Sequence, residues 1–370
     1  MPKYIHQREN WIDFRWHDAI VNVSLGDVRI MQGKVIGQMQ SLGFSSKEER
    51  NLDTLMSDLL NSFMIEGEKL DPEQIRSSIA RRLGSSTAGL VQTSRYTDGI
   101  VEMMLDATQN YSEPLTEERL FSWHASLFPT GYSGMNKIAV AQYRTEEMKV
   151  VSGAIGKEKV HYEAVAAKDV KAEMDRFLLW FNDDRIFIDA VLKSAIAHLW
   201  FVTIHPFEDG NGRIARAISD MLLARSENSE KRYYSLSKQI LATRNEYYEV
   251  LKRTQGGSGD ITEWIIWFLN SIEHALQETE GSMHSVLRKA EFWEKNRNIQ
   301  INERQRLMVN KLLDGFSEKV TSSKWAKITK CSTDTALRDI SDLIENGILV
   351  KGEAGGRSAY YSLAYLGLEP

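Results

Sequence analysis

The chain has 370 residues, of which 42% are hydrophobic and 26% charged, a composition typical of a soluble globular protein with two or three domains. Its formal net charge of -5 calls for no nucleic-acid partner, and the single cysteine, Cys331, excludes an intramolecular disulfide. No apolar stretch is long enough to span a membrane, and the first residues lack the apolar run of a signal peptide. We therefore predict a cytoplasmic protein without membrane attachment.

Apolar residues recur at helical spacing along most of the chain, which predicts a mainly α fold. The predicted helices cover residues 17–43, 47–65, 72–84, 97–110, 115–128, 168–181, 185–204, 211–226, 236–255 and 260–295. Ser46 and Glu49 have the spacing of a capping box at the start of one helix. Only the segment from Ile138 to Val160 departs from this pattern, because β-branched residues there flank a Ser-Gly-Ala-Ile-Gly stretch; it predicts a β-hairpin or an extended flap.

The last part of the chain changes character. Short helices are predicted over residues 303–315, 321–329 and 333–346, and residues 347–363 predict two strands around a Gly-Gly turn. Three helices followed by two strands predict a winged helix-turn-helix, in which residues 333–340 resemble the recognition helix.

The charge of this part does not decide what it binds. Residues 301–370 contain ten Lys or Arg and nine Asp or Glu, a difference of +1, whereas DNA binding usually relies on a clearly positive surface. Lys324, Lys327, Lys330 and Arg338 are the candidates for a local DNA-binding patch. Packing against the rest of the chain and binding of a protein remain open alternatives.

Residues 205–216, which read HPFEDGNGRIAR, combine a base with an anion site. His205 follows a predicted helix and can accept a proton near neutral pH. Gly210 and Gly212 allow tight turns, and a glycine-rich loop that opens a helix directs backbone N–H groups at a phosphate. Asn211 is placed to cap the next helix.

The same stretch supplies charged side chains. Arg213 and Arg216 are three residues apart and project from one face of the helix, an arrangement suited to a polyphosphate. Asp209 supplies the carboxylate that a phosphate-bound Mg²⁺ requires. Any one of these residues alone is more often structural, but their joint spacing indicates function.

This stretch matches the motif H-x-F-x-[D/E]-G-N-G-R-x-x-R at every defined position, and the chain therefore resembles the Fic family. The resemblance implies a helical core with a β-hairpin flap, ATP and Mg²⁺ as co-substrate and cofactor, and transfer of AMP to a Ser, Thr or Tyr of a target protein, which could be the chain itself. It assigns His205 as the base, Phe207 as the anchor of the loop and Asp209 as the metal ligand. It assigns phosphate binding to Gly210, Asn211, Gly212, Arg213 and Arg216, and it makes a homodimer an expectation.

Residues 62–67, Ser-Phe-Met-Ile-Glu-Gly, match the inhibitory pattern of Fic proteins, [S/T]-x-x-x-E-[G/N]. Ser62 and Glu66 are four apart on one helix face, and Gly67 is placed to end that helix. The resemblance implies that Glu66 pairs with Arg216, so that the γ-phosphate of ATP loses its partner and AMP transfer is inhibited. The alternative is an ordinary helix end with an exposed glutamate.

Two further segments resemble parts of the nucleotide and target sites of Fic proteins. Residues 142–145 and 150–153 resemble the flap, which pairs with the target backbone as an added strand. By the same resemblance, ATP-binding residues are Val150, Val151, Ser152 and Gly153 in the flap and Tyr247, Tyr248 and Gln255 at the adenosine. A purely structural hairpin and aromatic core packing are the alternatives.

We thus predict an N-terminal helical region over residues 1–95, a Fic core over 96–275, a connecting helix over 276–300 and a winged helix over 301–370. The favoured function is protein adenylyltransferase. Removal of AMP or transfer of another nucleotide at the same site remain alternatives. A DNA-binding regulator that only senses nucleotide is a third, although an intact His205 argues against it, since sensing needs no base.

Overall fold

A computed structural model describes residues 2–41, 44–84, 91–152, 159–313, 316, 320–352 and 359–364. The fold is mainly helical, as predicted. Its helices are α1 Asp18–Ser41, α2 Phe44–Ile65, α3 Pro72–Arg82, α4 Arg95–Gln109, α5 Glu117–Leu127, α6 Val170–Phe181, α7 Ala190–Ile204, α8 Asn211–Glu227, α9 Leu236–Ala242, α10 Arg244–Gln255, α11 Thr262–Lys295, α12 Glu303–Leu313, α13 Ser322–Thr329 and α14 Thr333–Glu345. In this part of the chain no helix is long and apolar enough to cross a bilayer.

The strands form three antiparallel pairs. These are β1 Tyr132–Ser133 with β2 Asn136–Lys137, β3 Lys149–Ser152 with β4 Lys159–Glu163, and β5 Leu349–Lys351 with β6 Tyr361–Leu363. The second pair is the hairpin predicted between Ile138 and Val160, although its second strand extends to Glu163. The first pair was not predicted, because two-residue strands are too short to show alternation.

Three predicted helix limits were wrong for local reasons. The helix predicted over 236–255 is two helices, because Thr243 leaves the helical conformation, with φ -113° and ψ 32°. The helix predicted from 185 begins at Ala190, because the Asp189 side chain accepts a hydrogen bond from the Val191 N–H and acts as the N-cap. Helix α2 begins at Phe44, so Ser46 lies inside the helix and is not its N-cap.

The chain divides into two units, and the division falls between Thr279 and Glu280. The finer division predicted from the sequence, with limits at residues 95, 275 and 300, stays a prediction. In the first unit α7 and α8 pack most extensively against each other. Every residue of α7 from Val191 to Ile204 is buried, as expected of a helix that is apolar on all sides. In the segment between these two helices, residues 205–210, Pro206, Phe207 and Gly210 are buried.

Helix α2 also belongs to the first unit and packs against α9, α3, α4 and α8. Its inward face is a row of buried apolar residues, Leu52, Leu55, Leu59 and Phe63. This packing fixes the end of α2, where the predicted inhibitory residues lie, beside the start of α8.

The second unit contains α12, α13 and α14 followed by β5 and β6, the element order predicted for a winged helix. Its core is formed by apolar residues of all five elements, among them Met308, Trp325, Ile340, Leu349 and Leu363. The predicted Gly-Gly turn lies outside the described residues, and the winged-helix assignment stays a prediction, as does DNA binding.

Gly99 allows α4 and α5 to pack closely, because a Cβ added there would lie 2.9 Å from the Ser126 carbonyl oxygen. We expect Gly99→Val to lower the free energy of unfolding by about 1–3 kcal/mol, since the backbone cannot move away cheaply. Gly33 of α1 has open space around it, so Gly33→Ala should raise the same quantity by about 0.5–1 kcal/mol. Urea denaturation of both variants measures the two changes, and equal effects would contradict the close packing.

Candidate active site

His205 directly follows α7 and adopts a left-handed backbone conformation, with φ 55° and ψ 59°. This conformation is unfavourable for a residue other than glycine and is held by the hydrogen bond from the His205 N–H to the Phe201 carbonyl, at 3.0 Å. The ring atom Nδ1 lies 3.2 Å from the Val202 carbonyl oxygen. Since a carbonyl can only accept, Nδ1 carries the proton in this contact and Nε2 keeps its lone pair.

The protonation state of His205 agrees with this tautomer. Burial lowers the pKa of His205 from its ordinary 6.5 to about 4; the contact with the Val202 carbonyl opposes the shift, and the charge of Arg144 adds to it. The imidazole is therefore neutral at pH 7 and is able to accept a proton at Nε2.

Asn211 closes the motif loop. Its Oδ1 accepts a hydrogen bond from the Phe207 N–H at 3.0 Å, and its Nδ2 donates to the Phe207 carbonyl at 2.8 Å. Asn211 is buried, as is Phe207. The prediction that Asn211 caps the next helix was wrong: the N-cap is Gly210, which has φ 81°, and Asn211 is the first residue of α8. Because both of its side-chain polar atoms are engaged, Asn211 shapes the loop.

The beginning of α8 presents backbone groups of the kind that bind an anion. Gly210 makes no side-chain cap hydrogen bond. Within the described residues, the N–H groups of Asn211, Gly212 and Arg213 have no backbone acceptor. Unpaired N–H groups at the positive end of a helix dipole favour a phosphate or a carboxylate.

Arg216 is buried and donates to one residue in the last turn of α2 and to one that directly follows this helix. Its Nε donates to the Ser62 hydroxyl at 2.8 Å, and its Nη2 donates to the Ser62 carbonyl at 2.8 Å and to Glu66 Oε1 at 2.7 Å. The contact of Glu66 with Arg216 is the one expected from the inhibitory pattern. Gly212 makes room for it, because a Cβ on Gly212 would collide with the Glu66 carboxylate. Gly67 follows at φ 84°, just beyond the end of α2.

A second carboxylate, which sequence reasoning missed, occupies the other arginine. Arg213 Nη1 donates to Glu68 Oε1 at 2.9 Å, and the Tyr96 hydroxyl donates to Glu68 Oε2 at 3.1 Å. The Arg213 guanidinium lies 5.0 Å from the ring centres of both Phe63 and Phe128. The side chain of Arg213 is 2% exposed and that of Glu68 is 43% exposed, so only the carboxylate can turn outward into solvent.

Asp209 points its carboxylate into the same region. Oδ1 accepts from the Gly210 N–H at 2.5 Å and lies 3.4 Å from Arg213 Nη2, and Oδ2 accepts from the Ser133 hydroxyl. Among the described residues there is no group of three or more Asp, Glu, His or Cys side chains able to hold a metal ion. A Mg²⁺ ion at Asp209 would therefore need phosphate oxygens and water for its remaining ligands, which fits a nucleotide-bound ion.

A cavity of about 530 Å³ joins these parts. The predicted residues that line it are Glu66, Val150, His205, Asp209, Gly210, Asn211, Gly212, Arg213, Tyr247, Tyr248 and Gln255. Arg216 lies behind Glu66 and does not line the cavity. Val151 and Ser152 belong to β3, and the predicted residue Gly153 lies outside the described residues.

The three predicted adenosine residues differ in their surroundings. Tyr247 is buried, and its hydroxyl hydrogen-bonds His198 Nε2 at 2.9 Å. Tyr248 is 39% exposed, and its hydroxyl lies 3.5 Å from Glu66 Oε2. Gln255 donates to the Thr203 hydroxyl at 3.3 Å. Each residue thus combines packing with a place on the cavity wall, and adenosine binding stays a prediction.

Arg144 lies in the segment that precedes the hairpin. It is a second residue whose role the sequence did not predict. Its backbone N–H donates to the Pro206 carbonyl at 2.9 Å, and its Nε donates to the His205 carbonyl at 2.8 Å. The guanidinium is buried and also donates to the carbonyls of Ile204 and Glu146. Arg144 thereby fixes the segment leading into β3 against the motif loop.

Comparison with known proteins agrees with this geometry. Residues 114–223 match the Fic/DOC family, so the chain contains a Fic/DOC family domain. Residues 4–85 match a domain of unknown function, DUF4172.

Among curated relatives, the chain is 30% identical over 125 residues to the protein adenylyltransferase fic-1 of Caenorhabditis elegans, a match that covers 33% of this chain and 23% of that protein. It is 33% identical over 109 residues to the protein adenylyltransferase Fic of Culex quinquefasciatus, which covers 29% and 20% of the two chains. The matched part is thus less than a quarter of either relative.

Solved structures share the fold. A Fic family protein from Desulfovibrio desulfuricans superposes with a TM-score of 0.52 at 19% identity over 92% of this chain and 95% of that one. Fic-1 of C. elegans superposes with a TM-score of 0.53 at 21% identity over 73% and 74% of the two chains.

The lowered pKa of His205 can be measured directly. We expect the imidazole signal that disappears in His205→Ala to titrate in the folded protein with a midpoint of about 4, as followed by NMR. Because the unfolded chain takes up this proton first as the pH falls, the group favours the fold above pH 6.5, and this contribution is lost between pH 6.5 and about 4. A midpoint near 6.5 would contradict the buried neutral ring.

Proposed function

We propose that this protein transfers AMP from MgATP to the hydroxyl of a Ser, Thr or Tyr of a target protein. The observation that carries the proposal is the shared cavity: the neutral His205 and the open N–H groups at the start of α8 face the same space. A proton acceptor beside a phosphate site is what attack of a hydroxyl on a phosphoanhydride requires. The Fic/DOC domain and the names of its curated relatives support the same reaction.

In the proposed reaction each of these residues has a separate role. The target hydroxyl oxygen forms a bond to the α-phosphorus, the bond from that phosphorus to the pyrophosphate oxygen breaks, and the hydroxyl proton passes to His205 Nε2. The N–H groups of α8, with Arg213 and Arg216, bind the phosphates and stabilise the charge that develops on them. Asp209 would hold Mg²⁺, which neutralises charge on the leaving pyrophosphate.

The contacts of the segment that follows α2 support inhibition as part of this proposal. Glu66 occupies Arg216, and Glu68 occupies Arg213, so both cations of the phosphate site have carboxylate partners from the N-terminal part of the chain. The phosphates of ATP have to compete with these carboxylates. Removal of AMP is a second candidate, favoured by one observation: Glu66 lines the same cavity as His205, where a carboxylate could orient a water molecule.

We expect Glu66→Gly to become labelled with AMP when it is incubated with MgATP, because Arg216 is then free for the phosphates. Intact-mass spectrometry should show a gain of one AMP in this variant and little in the wild type. Adding His205→Ala to Glu66→Gly should slow labelling by at least ~10²-fold, since the base is lost. Labelling that is the same in all three proteins would contradict both assigned roles.

Glu68→Gln keeps the size of the side chain and removes its charge. We expect this variant to bind MgATP about 2–5-fold more tightly than the wild type by calorimetry, the modest change typical of a partly exposed ion pair. Glu73→Gln is the matched control, since Glu73 is exposed in the first turn of α3. Weaker binding by Glu68→Gln alone would mean that Glu68 orients Arg213 for the nucleotide and does not compete with it.

A further inference from the structure

His124, a residue outside every motif, lies between the segment that leads to the hairpin and the motif loop. It is completely buried on α5. Its ring lies flat against that of Phe207, with the ring centres 4.3 Å apart and the planes at 10°. A buried imidazole needs partners for both ring nitrogens, and each partner found here belongs to a different functional segment.

The two hydrogen bonds of His124 define its tautomer. The Ala141 N–H donates to Nδ1 at 3.1 Å, so Nδ1 carries no proton. Nε2 lies 3.2 Å from the Asp209 carbonyl oxygen, to which it donates its proton.

One partner has an unusual backbone conformation, and the other directly precedes a residue that has one. Ala141 has φ 56°, a conformation that costs energy for a residue with a side chain, and it comes three residues before Arg144. The Asp209 carbonyl directly precedes Gly210, which has φ 81°. One side of His124 thus holds the segment that leads to the hairpin, and the other holds the loop that carries Asp209.

We propose that His124 is a positioning residue. Through its two ring nitrogens it fixes the spacing between the segment that leads to the hairpin, at Ala141, and the motif loop, at Asp209. Its consequence for catalysis rests on the proposed AMP transfer: the target hydroxyl and the α-phosphate reach His205 from these two segments. The positioning itself is a property of the fold and can be measured without any reaction.

Two substitutions separate the two hydrogen bonds. The amide of Gln reaches the position of Nε2, so His124→Gln keeps a donor for the Asp209 carbonyl and loses the acceptor for Ala141. The shorter amide of Asn reaches the position of Nδ1, so His124→Asn keeps the acceptor and loses the donor. His274→Gln is the matched control, because His274 is exposed on α11.

We expect the two variants to fail in different ways. In His124→Gln, amide hydrogen exchange around Ala141 should accelerate, MgATP affinity should stay within about twofold of the wild type, and AMP transfer in the Glu66→Gly background should slow by on the order of 10–100-fold. In His124→Asn, Ala141 should stay protected, and MgATP affinity should fall by about fivefold, the worth of one typical hydrogen bond.

A rescue test distinguishes positioning from general stability. Glycine adopts positive φ readily, so Ala141→Gly should restore most of the AMP transfer of His124→Gln and none of the MgATP affinity of His124→Asn. Equal losses in both variants that follow only their melting temperatures, with no rescue, would overturn the proposal.

The native protein provides a measurement that does not depend on how the variants fold. Correlations between ring nitrogens and carbon-bound protons in NMR should show the proton of His124 on Nε2, and a proton on Nδ1 would overturn the proposal. If AMP transfer were absent from wild type and Glu66→Gly while the tautomer and hydrogen exchange were as expected, the proposed function alone would fail.

Discussion

The contacts between α8 and the N-terminal part of the chain depend on two buried arginines at the start of α8. Arg213 and Arg216 are each about 2% exposed or less, and an arginine cannot lose its charge inside a protein. Added to the positive end of the α8 dipole, they create a site that has to contain an anion. In this structure the anions are carboxylates of the chain itself, and a polyphosphate would satisfy the same groups. Under the proposed function, the phosphates of the nucleotide take the place of these carboxylates.

The carboxylates are held with different firmness. Glu66 follows directly after α2. Earlier in this helix, Asp58 is buried and accepts a hydrogen bond from the Ser235 hydroxyl at 2.5 Å, which anchors the helix. Burial raises the pKa of Asp58 well above its ordinary value, with the nearby Asp220 adding to the shift. Glu68 lies beyond Gly67, more exposed and held by Tyr96. The side chain of Glu66 is 29% exposed and that of Glu68 is 43% exposed, so the ion pair of Glu68 is the more open to solvent.

Local pattern predicted the helical fold, and the residues predicted in 205–216 lie close together, because that motif is contiguous and its spacing is set by one loop and one helix. Residues whose partners are distant in the sequence were not predicted. Glu68 meets Arg213 over 145 positions and His124 meets Asp209 over 85, and neither lone residue differs in sequence from an ordinary glutamate or histidine. Asn211 was misjudged because capping and loop closure favour the same residue type, and only the positions of Gly210 and Phe207 distinguish them.

A crystal structure of Glu66→Gly carrying His205→Ala, grown with MgATP, tests the central claim most directly, because the nucleotide would stay uncleaved. We expect the phosphates at the open N–H groups of α8, with Arg216 on a terminal phosphate and Mg²⁺ at Asp209. The α-phosphorus should lie so close to the position of Nε2 that a single hydroxyl group fits between them. ATP bound elsewhere, or with its α-phosphate directed away from residue 205, would contradict it.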